Sequence, residues 1–386
     1  MDQSGNQGRY TVRERRRRIG RRQASLRRQR LAHGRPPICH LSLFTFHTLL
    51  VLGTAATAQF CYVANGGGSN NVSGYKIEST GELVPIPGSP FAAGNLPAAV
   101  AVDPKGRLVY VTNESGNNVS AYRVGQNGVL TSIAGSPFVT GTNPHEIAIH
   151  RSGRFAYVAS AVGNAVWAYR IATDGGLDPI KGSPFKAGGF PRALALSPNG
   201  SFAYVANQAS NDVSGFEVEQ NGFLRPMMGS PFPAGNGPFS VCVDATGRFV
   251  YVVNEGDDTV SAFGVGPRGQ LRPIPGSPFH SGSDPVKVVT DPHGKFVYVA
   301  NMVGATVSGY RIAANGALTP IPGSPFASGR EPYSIAIDAA SKFAYVANRF
   351  DKNISAYEID QNGSLMLIAG SPFPAGVGPD SVACTR

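Results

Sequence analysis

The chain has 386 residues, of which 48 are glycine and 30 are proline, so about a fifth of it favours turns. Charged residues make up only 15% of the chain, against a usual ~25%, while 42% of the residues are hydrophobic. This composition excludes a helical bundle, a coiled coil and a generally disordered protein, and it leaves ample apolar residues for a large core.

The net charge of +10 comes entirely from the N-terminus. Residues 1–36 carry twelve arginines against Asp2 and Glu14, whereas the remaining 350 residues hold 22 basic and 22 acidic side chains. Because the body of the chain is neutral, its charge gives no indication of nucleic-acid binding, and we expect no nucleic-acid partner for the folded part.

Residues 1–58 are predicted to be a basic leader with a signal peptide. The arginines are followed by an apolar run at 41–52 and then by Ala56-Thr57-Ala58, which is typical of a cleavage site. The apolar run is too short for a spanning helix, so we expect no membrane span in the mature chain. Cleavage before Gln59 would export the protein to the periplasm or the cell exterior, by the general or the twin-arginine route. A retained membrane anchor and an arginine-rich nucleic-acid arm are the alternatives.

A repeat of 47 residues fills the chain from 59 to 386. The string Gly-Ser-Pro-Phe occurs seven times, always 47 residues apart, and begins at Gly88, Gly135, Gly182, Gly229, Gly276, Gly323 and Gly370. A second string, Tyr-Val-x-Asn in six of its seven copies, begins at Tyr62, Tyr110, Tyr157, Tyr204, Tyr251, Tyr298 and Tyr345. The repeats leave no room for a second domain.

Each repeat is predicted to form four short strands. In the copy that begins at Pro332 the predicted strands are 334–338, 343–348, 354–359 and 365–369. The turn between the third and fourth strands often contains Asn-Gly, as at 127–128, which favours a type I′ hairpin. Four antiparallel strands in a repeat of this length are typical of a propeller blade, so the sequence predicts an all-β, seven-bladed β-propeller.

The two ends of the mature chain are predicted to meet in one blade. The chain opens on a second strand, at 60–65, and ends on a first strand, at 381–385. Alignment of these segments with the other repeats places Cys61 opposite Cys384, so an oxidising compartment would join them in a disulfide. Two buried thiols are the alternative, and Cys242 is expected to be a buried thiol without a partner.

The repeat resembles the YVTN repeat, and the blade resembles the lactonase-like propellers typified by 6-phosphogluconolactonase. In that family the site combines Pro-Arg-His, Asn-Glu-Leu and, one blade later, Asn-Arg-Gly-His. Here Pro191-Arg192 matches the first element, but Ala193 stands at its His, Gln208 at the Glu and Glu255 at the later Arg. The resemblance implies hydrolysis of sugar lactones, with His145 or Glu255 as base and Arg192 as the group that stabilises the oxyanion.

The functional surface is predicted at the channel mouth, on the face where first strands begin and second strands end. Positions there that differ among blades could form an asymmetric ligand site, whereas residues shared by all blades serve the fold. The predicted ligand-binding residues are Glu114, His145, Glu146, Arg192, Lys287, Tyr333, Arg349 and Asp380. Tolerated variation on a solvent-exposed rim is the alternative.

Two strings resemble a zinc-binding and a dinucleotide-binding motif, but their structural context does not fit either site. His145 and His150 in His-Glu-Ile-Ala-Ile-His would point to opposite faces of a strand, and the glycine-rich string at 264–269 lies in a hairpin turn. We therefore expect neither a metal site nor a cofactor. We expect the protein to be an exported monomer. Our first hypothesis is a binding or scaffold propeller for a small carbohydrate-type ligand or a partner protein. The alternative is a sugar-lactone hydrolase.

Overall fold

The computed structural model describes residues 59–385, which form seven blades of antiparallel strands. The first strands of neighbouring blades contact one another around the axis. They are Pro97–Val102, Pro144–Ile149, Pro191–Leu196, Pro238–Val243, Pro285–Thr290, Pro332–Ile337 and Pro379–Cys384. We number the blades from 1, which holds Pro379–Cys384, to 7, which holds Pro332–Ile337. The prediction of a seven-bladed propeller is confirmed.

The second strands are the most deeply buried part of each blade, because a neighbouring blade covers each of their faces. Leu108–Asn113, for example, is buried along its whole length. The second strands are Gln59–Asn65, Leu108–Asn113, Phe155–Ser160, Phe202–Asn207, Phe249–Asn254, Phe296–Asn301 and Phe343–Asn348. A single turn of 3₁₀-helix, Glu255–Asp257, follows one of them.

The third strands lie between the second strands and the short fourth strands at the outer edge of each blade. They are Asn71–Ile77, Asn118–Val124, Ala165–Ile171, Asp212–Val218, Thr259–Val265, Thr306–Ile312 and Asn353–Ile359. Within residues 59–385, no helix is long and apolar enough to cross a membrane.

The fourth strand of every blade is divided into two short pieces, both paired with the third strand. The first pieces are Leu83–Pro85, Leu130–Ser132, Leu177–Pro179, Leu224–Pro226, Leu271–Pro273, Leu318–Pro320 and Leu365–Leu367. The second pieces are Phe91–Ala92, Phe138–Val139, Phe185–Lys186, Phe232–Pro233, Phe279–His280, Phe326–Ala327 and Phe373–Pro374. The Gly-Ser-Pro turn separates them, and its serine accepts a hydrogen bond from the third strand, as Ser89 Oγ does from Gly74 N over 2.9 Å.

The repeated tyrosine links each blade to the next. Tyr110 is fully buried, and its hydroxyl donates to the Gly175 carbonyl of the following blade over 2.8 Å. The same bond from Tyr345 to Gly81 joins blade 7 to blade 1 over 3.0 Å. All seven blades make this contact, which explains why the tyrosine recurs with the 47-residue period.

The repeated asparagine caps the turn after the second strand. Asn113 has no exposed surface, and its Nδ2 donates to Asn118 Oδ1 and Ser120 Oγ over 2.6 and 2.9 Å. Its Oδ1 accepts from Gly94 N over 3.0 Å. This residue therefore serves the fold and not a binding ring.

The predicted type I′ turn between the third and fourth strands is wrong. Gly128 has φ +81°, but Asn127 is not among the residues with positive φ. The Gly128 amide donates to Gly125 O, and the Gly125 amide donates to Val129 O, both over 2.9 Å. This is a type I turn followed by a left-handed glycine, which has the same Asn-Gly sequence signature.

Blade 1 is built from both ends of the chain, as predicted. Gln59–Asn65 pairs with Pro379–Cys384, and Cys61 lies directly opposite Cys384 in the register. These two cysteines are joined by a disulfide, with their Cα atoms 4.1 Å apart. Cys242 is free, as expected; the residue as a whole is partly buried, and burial raises the pKa of its thiol.

Candidate functional site

A cavity of about 230 Å³ lies on the face where the first strands begin and the second strands end. Residues from all seven blades line it, among them Ala98, Phe239 and Val286. The structure brings all eight predicted ligand-binding residues to its wall: Glu114, His145, Glu146, Arg192, Lys287, Tyr333, Arg349 and Asp380. Their role in binding stays a prediction.

A β-bulge at the start of every first strand aims the variable side chain at this cavity. In blade 3, Pro144 pairs with Ser160 and Glu146 with Ala159, so His145 is an extra residue between two pairs. The same register shift occurs in every blade. A bulge residue is released from the ladder and can be re-aimed, which frees this slot to vary among blades. The sequence does not reveal the bulge.

Arg192 is held by neutral partners. Its Nη1 donates to His145 Nε2 over 2.8 Å, and its Nε donates to Gln208 Oε1 over 2.8 Å. The guanidinium carbon lies 4.6 Å from the Phe239 ring centre and 5.0 Å from that of Phe190. Two aromatic faces and two hydrogen bonds thus fix the cation without neutralising it.

His145 is an uncharged acceptor in this arrangement. An arginine can only donate, so the His145 ring accepts from Arg192 Nη1, which lies 2.8 Å from Nε2 and 3.3 Å from Nδ1. Burial, and then the charge of Arg192, lower the pKa of His145 to about 3. Glu114 Oε1 stands 4.0 Å from Nε2. To act as the predicted base, His145 would have to give up its bond to Arg192.

Glu255, the other predicted base, is not among the residues of the cavity wall. It accepts from Gln208 Nε2 over 2.6 Å, so it reaches Arg192 only through that amide. Burial, followed by the charge of Glu255 and a hydrogen bond with it, raises the pKa of Asp284 to about 6. Glu255, Gln208, Arg192 and His145 therefore form a continuous hydrogen-bonded chain across blades 3 to 5.

The other two cations of the wall are paired with carboxylates. Lys287 Nζ donates to Glu146 Oε2 over 2.7 Å, and both side chains are mostly buried. Arg349 Nε lies 2.8 Å from Asp380 Oδ1, and the guanidinium carbon of Arg349 is 5.1 Å from the Tyr333 ring centre. Their charges are compensated where they stand.

Aromatic rings form an apolar part of the wall. Phe239 and Tyr333 meet edge to face, with ring centres 6.0 Å apart and planes at 90°. Burial raises the pKa of Tyr333 to about 12, with smaller effects from surrounding charges that include Arg192 and Asp380. The Tyr333 hydroxyl is therefore a neutral donor at physiological pH.

Gly66 and Asn143 contribute to the site but were missed in the sequence. Gly66 adjoins Asp380, and Asn143 Nδ2 donates to Glu114 Oε1 over 2.7 Å. The only sign of Gly66 in the sequence is that a glycine follows the repeated asparagine there, whereas other blades have a residue with a side chain. Across residues 59–385, no group of three or more His, Cys, Asp or Glu is placed to hold a metal ion.

Solved structures share the fold of this chain. A candidate 6-phosphogluconolactonase of Bacteroides fragilis is 21% identical with a TM-score of 0.76, and the match covers 86% of this chain and 99% of that one. The periplasmic gluconolactonase of Pseudomonas aeruginosa is 19% identical with a TM-score of 0.72, covering 85% and 99%. At these identities the likeness establishes the fold alone.

Sequence comparison assigns the family. No curated protein sequence matches the chain. The family model described as "Lactonase, 7-bladed beta-propeller" matches residues 57–237 and 233–376, which is most of the chain. The matched residues contain the repeats and most of the cavity wall. The chain therefore belongs to the family of lactonase seven-bladed β-propellers.

Proposed function

We propose that this protein is an exported hydrolase of sugar lactones, with its active site in the channel-mouth cavity. A lactone is a cyclic ester, and its carbonyl oxygen gains negative charge when water adds to the carbonyl carbon. A fixed cation at that oxygen stabilises the transition state. The observation that carries the proposal is Arg192, a cation on the cavity wall whose two hydrogen-bonded partners, His145 and Gln208, are both neutral.

Family membership favours this alternative over the binding propeller that the sequence first suggested. Lys287 and Arg349 are poorer candidates for the oxyanion site, because each faces a carboxylate, Glu146 or Asp380. Arg192 retains its charge and is immobilised by Phe239 and Phe190. It is the group we assign to the developing oxyanion.

The same pairings support an unphosphorylated substrate. Arginine and lysine side chains bind phosphate groups strongly when their charge is available, whereas Lys287 and Arg349 are committed to neighbouring acids. A neutral sugar lactone could instead place its hydroxyls against Glu114 and its ring against the Phe239 and Tyr333 side chains. The names of the similar structures include both a gluconolactonase and a 6-phosphogluconolactonase, so both substrate classes require testing.

The test is hydrolysis of D-glucono-1,5-lactone and its 6-phosphate, followed by proton release above the spontaneous rate. We expect turnover of the unphosphorylated lactone, with kcat/KM at least 100-fold lower in Arg192→Ala. Arg268→Ala is the matched control, since Arg268 is exposed in a hairpin turn on the opposite face. No turnover by the wild type, or an unchanged rate in Arg192→Ala, would contradict the proposal.

Ligand binding without turnover is the second candidate. The family pattern is broken at Ala193, Gln208 and Glu255, and these departures favour it. Calorimetry with gluconate and glucono-1,5-lactone distinguishes it from the hydrolase: binding that weakens in Arg192→Ala, in a wild type without turnover, would favour a binding protein.

Export is supported by three independent features. The leader at 1–58 lies outside the described residues, but its sequence has the order of a signal peptide. Cys61 and Cys384 are bonded in the structure, as suits an oxidising compartment, and one similar structure is a periplasmic gluconolactonase. Fractionation of cells that express the full chain tests this part of the proposal, with cytoplasmic retention contradicting it.

A further inference from the structure

In blade 1, where the two ends of the propeller chain pair, the cavity wall has a notch at Gly66, a position without a side chain. The residue after the capping asparagine is Gly66 there, whereas Glu114, Gln208 and Arg349 occupy this position in other blades. A Cβ atom built on Gly66 would collide with Asp380 Oδ2 and lie only 2.8 Å from Pro97 O. The Asp380 carboxyl group therefore fills space that any side chain at position 66 would need.

The carboxyl group in this notch is buried but incompletely bonded. Asp380 is 8% exposed, and its Oδ1 makes no hydrogen bond in the described part of the chain. Arg349 Nε is 2.8 Å away, but its N–H is not directed at Oδ1, so the contact is an ion pair without a hydrogen bond. Oδ1 is thus a buried acceptor without a donor, and the Asp380 side chain reaches the cavity wall, where a water molecule could approach its carboxyl group.

Charged and titratable groups from the two neighbouring blades face Asp380. Arg349, Tyr333 and Glu331 come from blade 7, and Glu114 comes from blade 2. Burial raises the pKa of Asp380 to about 7; Arg349 opposes the shift, and the Glu114 and Glu331 carboxylates add to it. A carboxylate in this range can both take and return a proton near neutral pH.

The other acids and bases near the cavity each have an atom that is already paired; Glu114 Oε1, for example, accepts from Asn143 Nδ2. His145 Nε2 accepts from Arg192, and Glu255 accepts from Gln208. Glu146 Oε2 is paired with Lys287. Among the described residues, Asp380 Oδ1 is the one buried carboxylate oxygen without a hydrogen-bond donor.

We propose that Asp380, in the notch opened by Gly66, is the general base that activates water for lactone opening; this rests on the hydrolase function proposed above. Asp380 takes a proton from water, and the resulting hydroxide oxygen bonds to the lactone carbonyl carbon. The carbonyl π pair moves to its oxygen, next to Arg192. When that pair returns, the bond from the carbonyl carbon to the ring oxygen breaks, and the leaving oxygen takes the proton back from Asp380. One water is consumed, and the open-chain hydroxy acid is released.

The first test is Asp380→Asn, which keeps the shape of the side chain but removes the basic carboxylate. With D-glucono-1,5-lactone as probe, we expect kcat/KM to fall at least 100-fold while KM changes little. Asp178→Asn is the matched control, because Asp178 is exposed on an outer strand. Retained activity in a folded Asp380→Asn variant overturns this inference but leaves the hydrolase function intact, since Arg192→Ala tests that separately. A wild type without turnover overturns both.

The second test is the pH dependence of kcat/KM. In the wild type it should rise about tenfold per pH unit below ~7 and level off above, because only ionised Asp380 accepts a proton. The residual kcat/KM of Asp380→Asn should not show this rise with pH. Gly66→Ala should displace the carboxyl group and lower kcat/KM in a protein whose thermal unfolding confirms its fold. The inference is overturned if kcat/KM of Asp380→Asn still rises with pH in this way, or if folded Gly66→Ala has full activity.

Discussion

Arg192 and His145 lie one repeat apart in the sequence and are directly hydrogen-bonded, with Nη1 donating to Nε2 over 2.8 Å. Both are bulge residues at the starts of adjacent first strands, so the 47-residue period itself brings them together. A histidine in this setting orients the guanidinium as a neutral acceptor, which differs from the role of base that the sequence suggested.

A prediction follows for substitutions of His145. His145→Ala removes the acceptor, so Arg192 loses its orientation and kcat/KM for the lactone should fall about tenfold or more. His145→Gln offers an amide oxygen in its place and should retain most of the activity. Because the pKa of His145 is lowered to about 3, its protonation should leave no inflection near pH 6.5. An inflection that His145→Gln removes would show that His145 titrates as an ordinary base.

Gln208 provides a second test of how Arg192 is positioned. Its amide accepts from Arg192 and donates to Glu255, so Gln208→Leu breaks both bonds and leaves two charged groups without that partner. We expect kcat/KM to fall by about ten- to a hundredfold, since hydrogen bonds to charged groups contribute about 1.5–3 kcal/mol. The matched control is Gln220→Leu at an exposed turn on the other face. Equal rates in the two variants would contradict a positioning role for Gln208.

The fold could be predicted from the sequence because its main contacts recur with the repeat. The Tyr110 hydroxyl donates to the Gly175 carbonyl, and the equivalent tyrosine of every blade donates to a glycine of the next blade. Each copy of the motif therefore indicates the same local structure. The positions of the variable residues at the channel mouth followed from strand direction alone. These inferences needed no side-chain geometry.

The chemistry of the site depends on features that periodicity does not encode. The bulge at His145 is a local register shift, and nothing in the residue types of the strand requires it. The space beneath Asp380 depends on an absent side chain at Gly66. Charge compensation at Lys287 depends on a contact with Glu146, three blades away. The contacts of Gly66 and Lys287 require the closed ring, in which distant parts of the chain share one cavity.

The disulfide between Cys61 and Cys384 is expected to stabilise the closed ring. It joins residues 323 positions apart, and loss of such a bond typically lowers the free energy of unfolding by about 2–5 kcal/mol. The double variant Cys61→Ala/Cys384→Ala should therefore unfold at lower urea concentration than the wild type, and a reductant should produce a similar shift in the wild type alone. Cys242→Ala is the control. Peptide mapping of the exported protein that finds both Cys61 and Cys384 as free thiols would contradict the prediction.

Asp380 should also make stability depend on pH, independently of any substrate. Its pKa is about 7 in the folded chain, against an ordinary value of 3.8. Between these values the folded state binds more protons at this group than the unfolded state, so its contribution to stability is complete below pH ~4 and is lost as pH rises through ~7. Asp380→Asn does not titrate and should lack this loss. Relative to the wild type, the variant should therefore gain on the order of a few kcal/mol in free energy of unfolding between pH 4 and pH 8.

Urea denaturation of both proteins at pH 4, 6 and 8 measures this gain, with Asp178→Asn as the control for loss of an exposed carboxylate. The other titrating groups remain in both proteins, so the difference isolates Asp380 and the groups that face it, Arg349, Glu114, Glu331 and Tyr333. A constant difference across this range would mean that Asp380 ionises at its ordinary pKa. The notch would then be a solvated surface feature, and the pH dependence expected for lactone hydrolysis would lose its physical basis.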